Sequence, residues 1–459
     1  MAVRAYRAAI AIGVIGILLA LLGFFCIFCT GDLIFSFFRN WSNNRYITKA
    51  LEKGTQPKIG VLDDELFLRP IVLDQLKNIF KPDKTQSFYY TVCGDHGTGK
   101  TTLVRIASRE VGHGVVYVDV PPVVEGFGVA FGKAINFAFE EHVSFINQLI
   151  GNTDSEFISS LHFYNIQLTL ISFLIDESDK PKWVRALEAF QRAANAYQIK
   201  HGRPAVIIYD NISRLTYKYP EILDTLQDDA KDNADSRTYI AVFISSEGFV
   251  PRRLESRSAW SRAFKPPLEI GDLSKEESIE YLVNTRKIKE EEAERLYELI
   301  GGRMVDLKIV ADKSLARQSF SVIEKSVLNE TQKKFISAQI YTKQKYHKVA
   351  CQIINSLLES KELDLDEYLG FFNNYKEADE ILEKNVFAYH PGTNTVTFQS
   401  KSVESYIKTK ADIFGIKLID LTPTDENDIN SDQATTSNQT DTIIPDKIIE
   451  SENGKSEIK

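Results

Sequence analysis

Gly94-Asp95-His96-Gly97-Thr98-Gly99-Lys100-Thr101-Thr102 decides the reading of this chain. It fits G-x-x-x-x-G-K-[ST], the spacing of a phosphate-binding loop, and its flanks suit it. Before it, Phe88-Tyr89-Tyr90-Thr91-Val92-Cys93 is aromatic and β-branched and reads as a buried strand. After it, Leu103, Val104, Ile106 and Ala107 recur at helical spacing over Lys100–Val111. Gly94, Gly97 and Gly99 let backbone N–H groups of Asp95, His96, Thr98 and Thr102 close around phosphates, and the helix N-terminus adds its positive dipole end. Lys100 is placed to reach the β- and γ-phosphates, and the Thr101 hydroxyl to ligate Mg²⁺. The expected ligands are a nucleoside triphosphate, ATP, and Mg²⁺.

Downstream, Val115-Val116-Tyr117-Val118 reads as a second strand ended by Asp119. Ala205-Val206-Ile207-Ile208-Tyr209-Asp210-Asn211 is an apolar run ending in an acid. In phosphate-loop proteins that carboxylate holds the metal, which makes Asp210 the second Mg²⁺ residue, although Asp-Asn also suits a turn after a strand. Tyr239–Ile244 reads as another buried strand, with Ser245 at its end as a candidate γ-phosphate sensor. Arg252, Arg253, Arg257 and Arg262 crowd the next segment and could supply a phosphate-neutralising finger or an ion-paired surface. Leu268-Glu269-Ile270 is a last strand, and Ser274 with Glu277 forms a capping box. Gly301-Gly302 can end a helix, so that Arg303 starts the next and could face the nucleotide. Ahead of the first strand, Phe67–Lys77 opens an amphipathic helix carrying Arg69 and Pro70.

The ends of the chain differ from its middle. Residues 8–31 carry no charge, and as a helix they would span about 36 Å against a hydrocarbon core of about 30 Å. This predicts a single-pass anchor in residues 1–42, with Phe35, Phe37, Phe38 and Trp41 as an interfacial fringe. The soluble body is expected on the cytosolic side, and Arg4 and Arg7 leave the mitochondrial inner membrane as the alternative. Residues 43–65 read as a polar stalk, 66–271 as the ATPase core and 272–345 as a helical lid. Over 346–415, three short helices precede a hairpin, the layout of a winged helix. Residues 416–459 are rich in Ser, Thr, Asn and Asp and are expected to be disordered. Beyond Leu421, nine acidic residues face three lysines, so this tail holds six of the eight net negative charges. The near-neutral body argues against nucleic acid as a partner. Cys26, Cys29, Cys93 and Cys351 suggest no disulfide framework.

Gly94–Thr102, Ala205–Asn211, Tyr239–Ser246, Leu268–Leu282 and Gly301–Arg303 together resemble the AAA+ and STAND superfamily of P-loop ATPases, near its archaeal-type and replication-initiator-like branch. That resemblance implies an α/β fold: a five-stranded parallel sheet in the order 5-1-4-3-2, a helical lid, a C-terminal winged helix, and Arg69 near the adenine. The Phe67-Leu68-Arg69-Pro70 opening and the Asp-Asn ending are also similar to fungal membrane ATPases of the mitochondrial escape type, although no RNA-recognition domain precedes the ATPase. The superfamily usually has a second carboxylate where this chain has Asn211, and Asp119 and Glu247, at the ends of other strands, are the acids that could replace it. A neutral amide orients a water but cannot accept its proton, which favours slow turnover or a nucleotide-gated scaffold over a fast motor. A homo-oligomer and an unidentified protein partner fit either role. A nucleic-acid-binding ATPase working through the winged helix is the remaining alternative.

Overall fold

The computed structural model describes residues 41–62, 64–139, 180–216, 218–246 and 249–416, with isolated positions before residue 41. The expected anchor over 8–31 lies almost wholly outside these, as do Glu247, residues 140–179 and the tail after residue 416. Among the described residues no helix is long and apolar enough to cross a membrane.

The centre of the molecule is a parallel sheet of β1 (Tyr90–Cys93), β2 (Val115–Asp119), β3 (Ala205–Asp210), β4 (Tyr239–Ile244) and β5 (Leu268–Glu269). Its order is β2-β3-β4-β1-β5, which read from the β5 edge is 5-1-4-3-2. The inner strands are apolar almost throughout, Thr91 of β1 and the terminal Asp210 of β3 excepted, because both faces of the sheet are covered. Val116, Val118, Ile207, Tyr209, Ala241 and Phe243 face one core, packed under Phe127 and Phe131, Ala186–Tyr197 and Leu223–Ala230. The alternate residues Val115, Tyr117, Val206, Ile208, Ile240 and Val242 face the other, against Leu73, Leu76, Phe80 and Leu103–Ala107. The helices supplying these contacts are α1 (Pro70–Phe80), α2 (Lys100–Val111), α3 (Phe127–Ala134), α4 (Lys182–His201) and α5 (Pro220–Ser236). Pro70 occupies the first helical turn of α1, where its missing N–H costs nothing.

The segment read as a polar stalk packs its first part against this core. Residues 41–53 are helical, and Ile47 and Leu51, each 1% exposed, enter the cluster that contains Phe127 and Tyr209. Gly54 then turns with φ +74°, where a Cβ would lie 1.8 Å from the Gly112 carbonyl oxygen. Thr55 bonds the β2 edge twice, donating its N–H to Val115 O (3.0 Å) and accepting the Tyr117 N–H at Oγ1 (2.6 Å). The apolar stripe is only two residues wide, too narrow to stand out in a polar sequence.

After β4, α6 (Phe249–Glu255) leads to β5. The lid follows as α7 (Lys275–Glu280), α8 (Glu290–Ile300), α9 (Met304–Leu315) and α10 (Phe320–Ser337), packed on Leu282, Leu296 and Leu307. The capping box of Ser274 and Glu277 is present at α7. The last part is α11 (His347–Ser360), β6 (Leu363–Asp364), α12 (Leu365–Gly370), α13 (Tyr375–Leu382), β7 (Phe387–His390), β8 (Thr395–Phe398) and α14 (Lys401–Thr409). Its antiparallel sheet has the order β6-β8-β7, so the hairpin gains a two-residue third strand that is too short to be read from sequence. Core, lid and this winged-helix part form one unit up to Ile416.

Candidate functional site

The loop between β1 and α2 is shaped by backbone that only glycine adopts freely: φ is +139° at Gly94, +84° at Gly97 and +90° at Gly99. Gly99 caps α2, so Lys100 and Thr101 open that helix with their N–H groups turned into the loop. Lys100 is 3% exposed, and its ammonium donates to the Asp95 carbonyl and to Thr98 Oγ1 (3.2 Å). Burial pushes its pKa down to about 8, against the opposing pull of the Asp95 carboxylate. A buried ammonium held by one carbonyl and one hydroxyl is suited to an incoming anion.

The strand ends bring the other polar groups alongside. Asp210, at the end of β3, accepts from Thr101 Oγ1 (3.4 Å) and from the Asn211 backbone N–H (2.8 Å), both at Oδ1. Its Oδ2 accepts from the Tyr117 hydroxyl (2.6 Å). Burial raises its pKa, with these hydrogen bonds pulling the other way. A hydroxyl beside a buried carboxylate is a hard-oxygen donor pair of the kind Mg²⁺ takes when phosphates and water complete its shell, so Thr101 and Asp210 fit that ion. Ser245 is buried at the end of β4, its N–H bonded to Val92 O (2.9 Å).

Arg303 caps α9 and reaches back over the loop. It is 3% exposed and donates to Asp95 Oδ2 (2.9 Å), His96 O (3.0 Å) and Gln399 O (2.5 Å), with Asp272 Oδ2 at 3.2 Å. Beside it, the Val305 N–H donates to Gly97 O (3.0 Å), and a Cβ on Gly97 would lie 2.3 Å from Val305 Cγ1. The lid therefore rests directly on the phosphate loop. Burial raises the Asp95 pKa and Arg303 opposes this. His96 is the exposed member of the loop.

On the other side of the loop, Leu66, Phe67, Leu103, Leu273 and Met304 line an apolar recess with Thr98, Gly99, Thr102 and Arg69. The Arg69 guanidinium is spent on the segment after β5: Nη1 donates to Gly271 O (2.8 Å), and Nε pairs with Glu277 (3.3 Å). The four crowded arginines all have carboxylate partners in the same chain. Arg252 pairs with Asp379 (3.0 Å), Arg253 with Asp224 (3.0 Å), Arg257 with Asp224 and Asp228 (3.1 and 2.7 Å), and Arg262 with Asp235.

Sequence reasoning singled out Asp119 and Asn211 but missed Arg105 and Tyr117, which tie the strand ends together. Arg105, on α2, donates from Nε to the Tyr117 hydroxyl (2.8 Å) and from Nη2 to Asp119 Oδ2 (3.0 Å). Asn211 sits at φ +61°, and its Nδ2 donates to Asp119 Oδ1 (2.8 Å). Tyr117 reads as an ordinary strand aromatic and Arg105 as an ordinary helix cation, so only the in-register pairing of β2 with β3 brings them together.

No protein-family model matches the chain, and no curated protein matches it. Solved structures do resemble it. A Walker-type ATPase of Pyrococcus abyssi aligns at 14% identity and TM-score 0.47, covering 77% of this chain and 98% of that one. The ORC2 protein of Aeropyrum pernix, in ADPNP–ADP complexes, aligns at 12% identity and TM-score 0.41, covering 78% and 96%. Cdc6p from Pyrobaculum aerophilum aligns at 11% identity and TM-score 0.37, covering 80% and 97%.

Proposed function

We propose that this protein is a membrane-anchored P-loop ATPase that binds Mg-ATP and turns it over slowly, acting as a nucleotide-driven switch or remodelling module. The observation that carries the reading is Lys100: a buried ammonium set between the Asp95 carbonyl and the Thr98 hydroxyl, at the mouth of a helix, one residue from the Thr101–Asp210 pair. The triphosphate would lie in the loop with Lys100 and the α2 N–H groups, and Thr101 and Asp210 would hold Mg²⁺, which supplies charge neutralisation at the phosphates. The apolar recess by Phe67 and Met304 is the place for the base. The resemblance to AAA+ and STAND ATPases supports the same reading.

Isothermal titration of Mg-ATP into wild type and Lys100→Ala tests it. Tight binding is expected for wild type and its loss in the variant, with the melting temperature retained. Equal affinities in two folded proteins would remove the central claim. Anchoring through residues 8–31 is tested separately. Full-length protein should resist alkaline carbonate while a truncation beginning at Ser42 is extracted; equal extraction of both would remove the anchor.

Asn211 favours slow turnover, and a non-hydrolysing, nucleotide-gated scaffold is its limiting case. A nucleic-acid role is disfavoured by α13, the second helix of the α12–α13 pair and the one that would enter a groove. It carries Glu377, Asp379 and Glu380, and Asp379 is engaged by Arg252 of the core.

A further inference from the structure

The end of the β2–β3 pair holds a polar assembly that nucleotide binding alone does not require. Asp119 and Asp210 are directly paired across the two strands, and Asn211 follows at positive φ. Asparagine tolerates that region better than most residues, and side chains held there are often held for function. The Asn211 amide has two ends, and its neighbour determines which end is used. A carboxylate opposite it can only accept, so Nδ2 must be the end turned to Asp119 at 2.8 Å. Among the described residues nothing donates to Asn211 Oδ1, which leaves that oxygen as the acceptor facing elsewhere. Asp119 is itself fixed, by Arg105 Nη2 at 3.0 Å and Arg214 Nη1 at 3.4 Å. Arg214 also donates to the Val120 carbonyl, and Arg105 also holds the Tyr117 hydroxyl that bonds Asp210. One guanidinium thus braces both the metal-side carboxylate and the partner of the amide.

We propose that Asp119, braced by Arg105 and Arg214, is a positioning residue for hydrolysis: it fixes the Asn211 amide so that Oδ1 is presented to the attacking water. The inference rests on the proposed Mg-ATP reading and adds a residue that touches neither nucleotide nor metal. Asn211 Oδ1 accepts one O–H of the water, and neutral amides orient water in other phosphate-loop hydrolases. The water oxygen bonds to the γ-phosphorus as the bond to the β–γ bridging oxygen breaks. A water proton passes to a phosphate oxygen because the amide cannot take it, and the products are ADP and inorganic phosphate. The arrangement accounts for a carboxylate on β2 opposite an amide on β3: the charge is used to orient the amide rather than to accept the proton.

The experiment measures Mg-ATP affinity and single-turnover hydrolysis separately in the full-length protein. Asp119→Asn removes the obligatory acceptor and lets the Asn211 amide turn over. The expected result is a single-turnover rate lower by about tenfold or more, as misorientation commonly costs, with Mg-ATP affinity within about twofold of wild type. The exchange Asp119→Asn with Asn211→Asp restores one amide opposite one carboxylate at the same place. It is expected to recover the rate to wild type or above, and it serves equally if the single variant fails to fold. An unchanged rate in Asp119→Asn, a parallel loss of affinity, or an exchange variant as slow as the single one would overturn the proposal. So would a wild type that binds Mg-ATP and hydrolyses none in a single turnover. A wild type that fails to bind Mg-ATP would remove the proposed function itself, and this inference with it.

Discussion

Lys100 carries the first consequence. A lysine in water holds its proton to a pKa near 10.4, whereas burial in the loop brings this one down to about 8. A bound triphosphate favours the charged ammonium, so binding above that pH must take up a proton. Mg-ATP affinity is therefore expected to be flat below about pH 8 and to weaken by up to about tenfold per pH unit above it. Titrations at pH 7, 8 and 9 check this, with Lys100→Arg as the control, because a guanidinium stays charged over the whole range. An affinity in wild type that ignores pH up to 9 would mean that the Lys100 ammonium does not meet the phosphates. The same reasoning separates Lys100 from Arg303, whose guanidinium is already committed to Asp95 and Asp272.

Among the elements, legibility followed the range of the forces that set each one. Strands β1 to β4 could be read because each is a short, mostly apolar run with both faces covered, and the glycine loop because its spacing is dictated by backbone geometry. The capping box at α7 is a purely local device and forms where Ser274 and Glu277 predict it. Three features needed the tertiary structure. Helix 41–53 reads as polar, and Ile47 and Leu51 find their core only because α4 and the Gly112–Gly114 turn stand beside it. The strand β6 exists only as the partner of Val396 and Thr395. The Arg105–Tyr117–Asp119 network depends on strand register, which joins residues of α2, β2 and β3. The arginines after β4 stood between two readings that sequence could not separate. In the folded chain Arg253, Arg257 and Arg262 pair with the acidic face of α5, at Asp224, Asp228 and Asp235.

At the scale of the whole molecule, core, lid and winged helix meet over the phosphate loop. Arg303 joins the lid to Asp95 and to Gln399 O, and His390 of β7 joins the winged helix to Glu269 at the end of β5. The His390 Nδ1–Glu269 Oε1 distance is 2.5 Å, and Nε2 lies 2.8 Å from Thr397 Oγ1. Burial alone would lower the pKa of this imidazole. The Glu269 hydrogen bond and charge, with Asp95 and Glu362 adding, outweigh that and raise it. A histidine whose folded pKa lies above its unfolded value of about 6.5 stabilises the fold fully below that pH, and the contribution is lost as pH rises through the raised value. His390→Gln should therefore cost stability at pH 6 and much less at pH 9, read as the gap between wild-type and variant urea midpoints at each pH. The lowered Lys100 pKa pulls the other way, adding stability as pH rises above about 8, but it is common to both proteins and cancels in the gap. If the gap were the same at both pH values, the His390–Glu269 contact would be holding the winged helix by shape and neutral hydrogen bonding alone. A gap that closes at high pH would mean that a single protonated imidazole, next to the strand that pairs with β1, sets how firmly the winged helix sits over the phosphate loop.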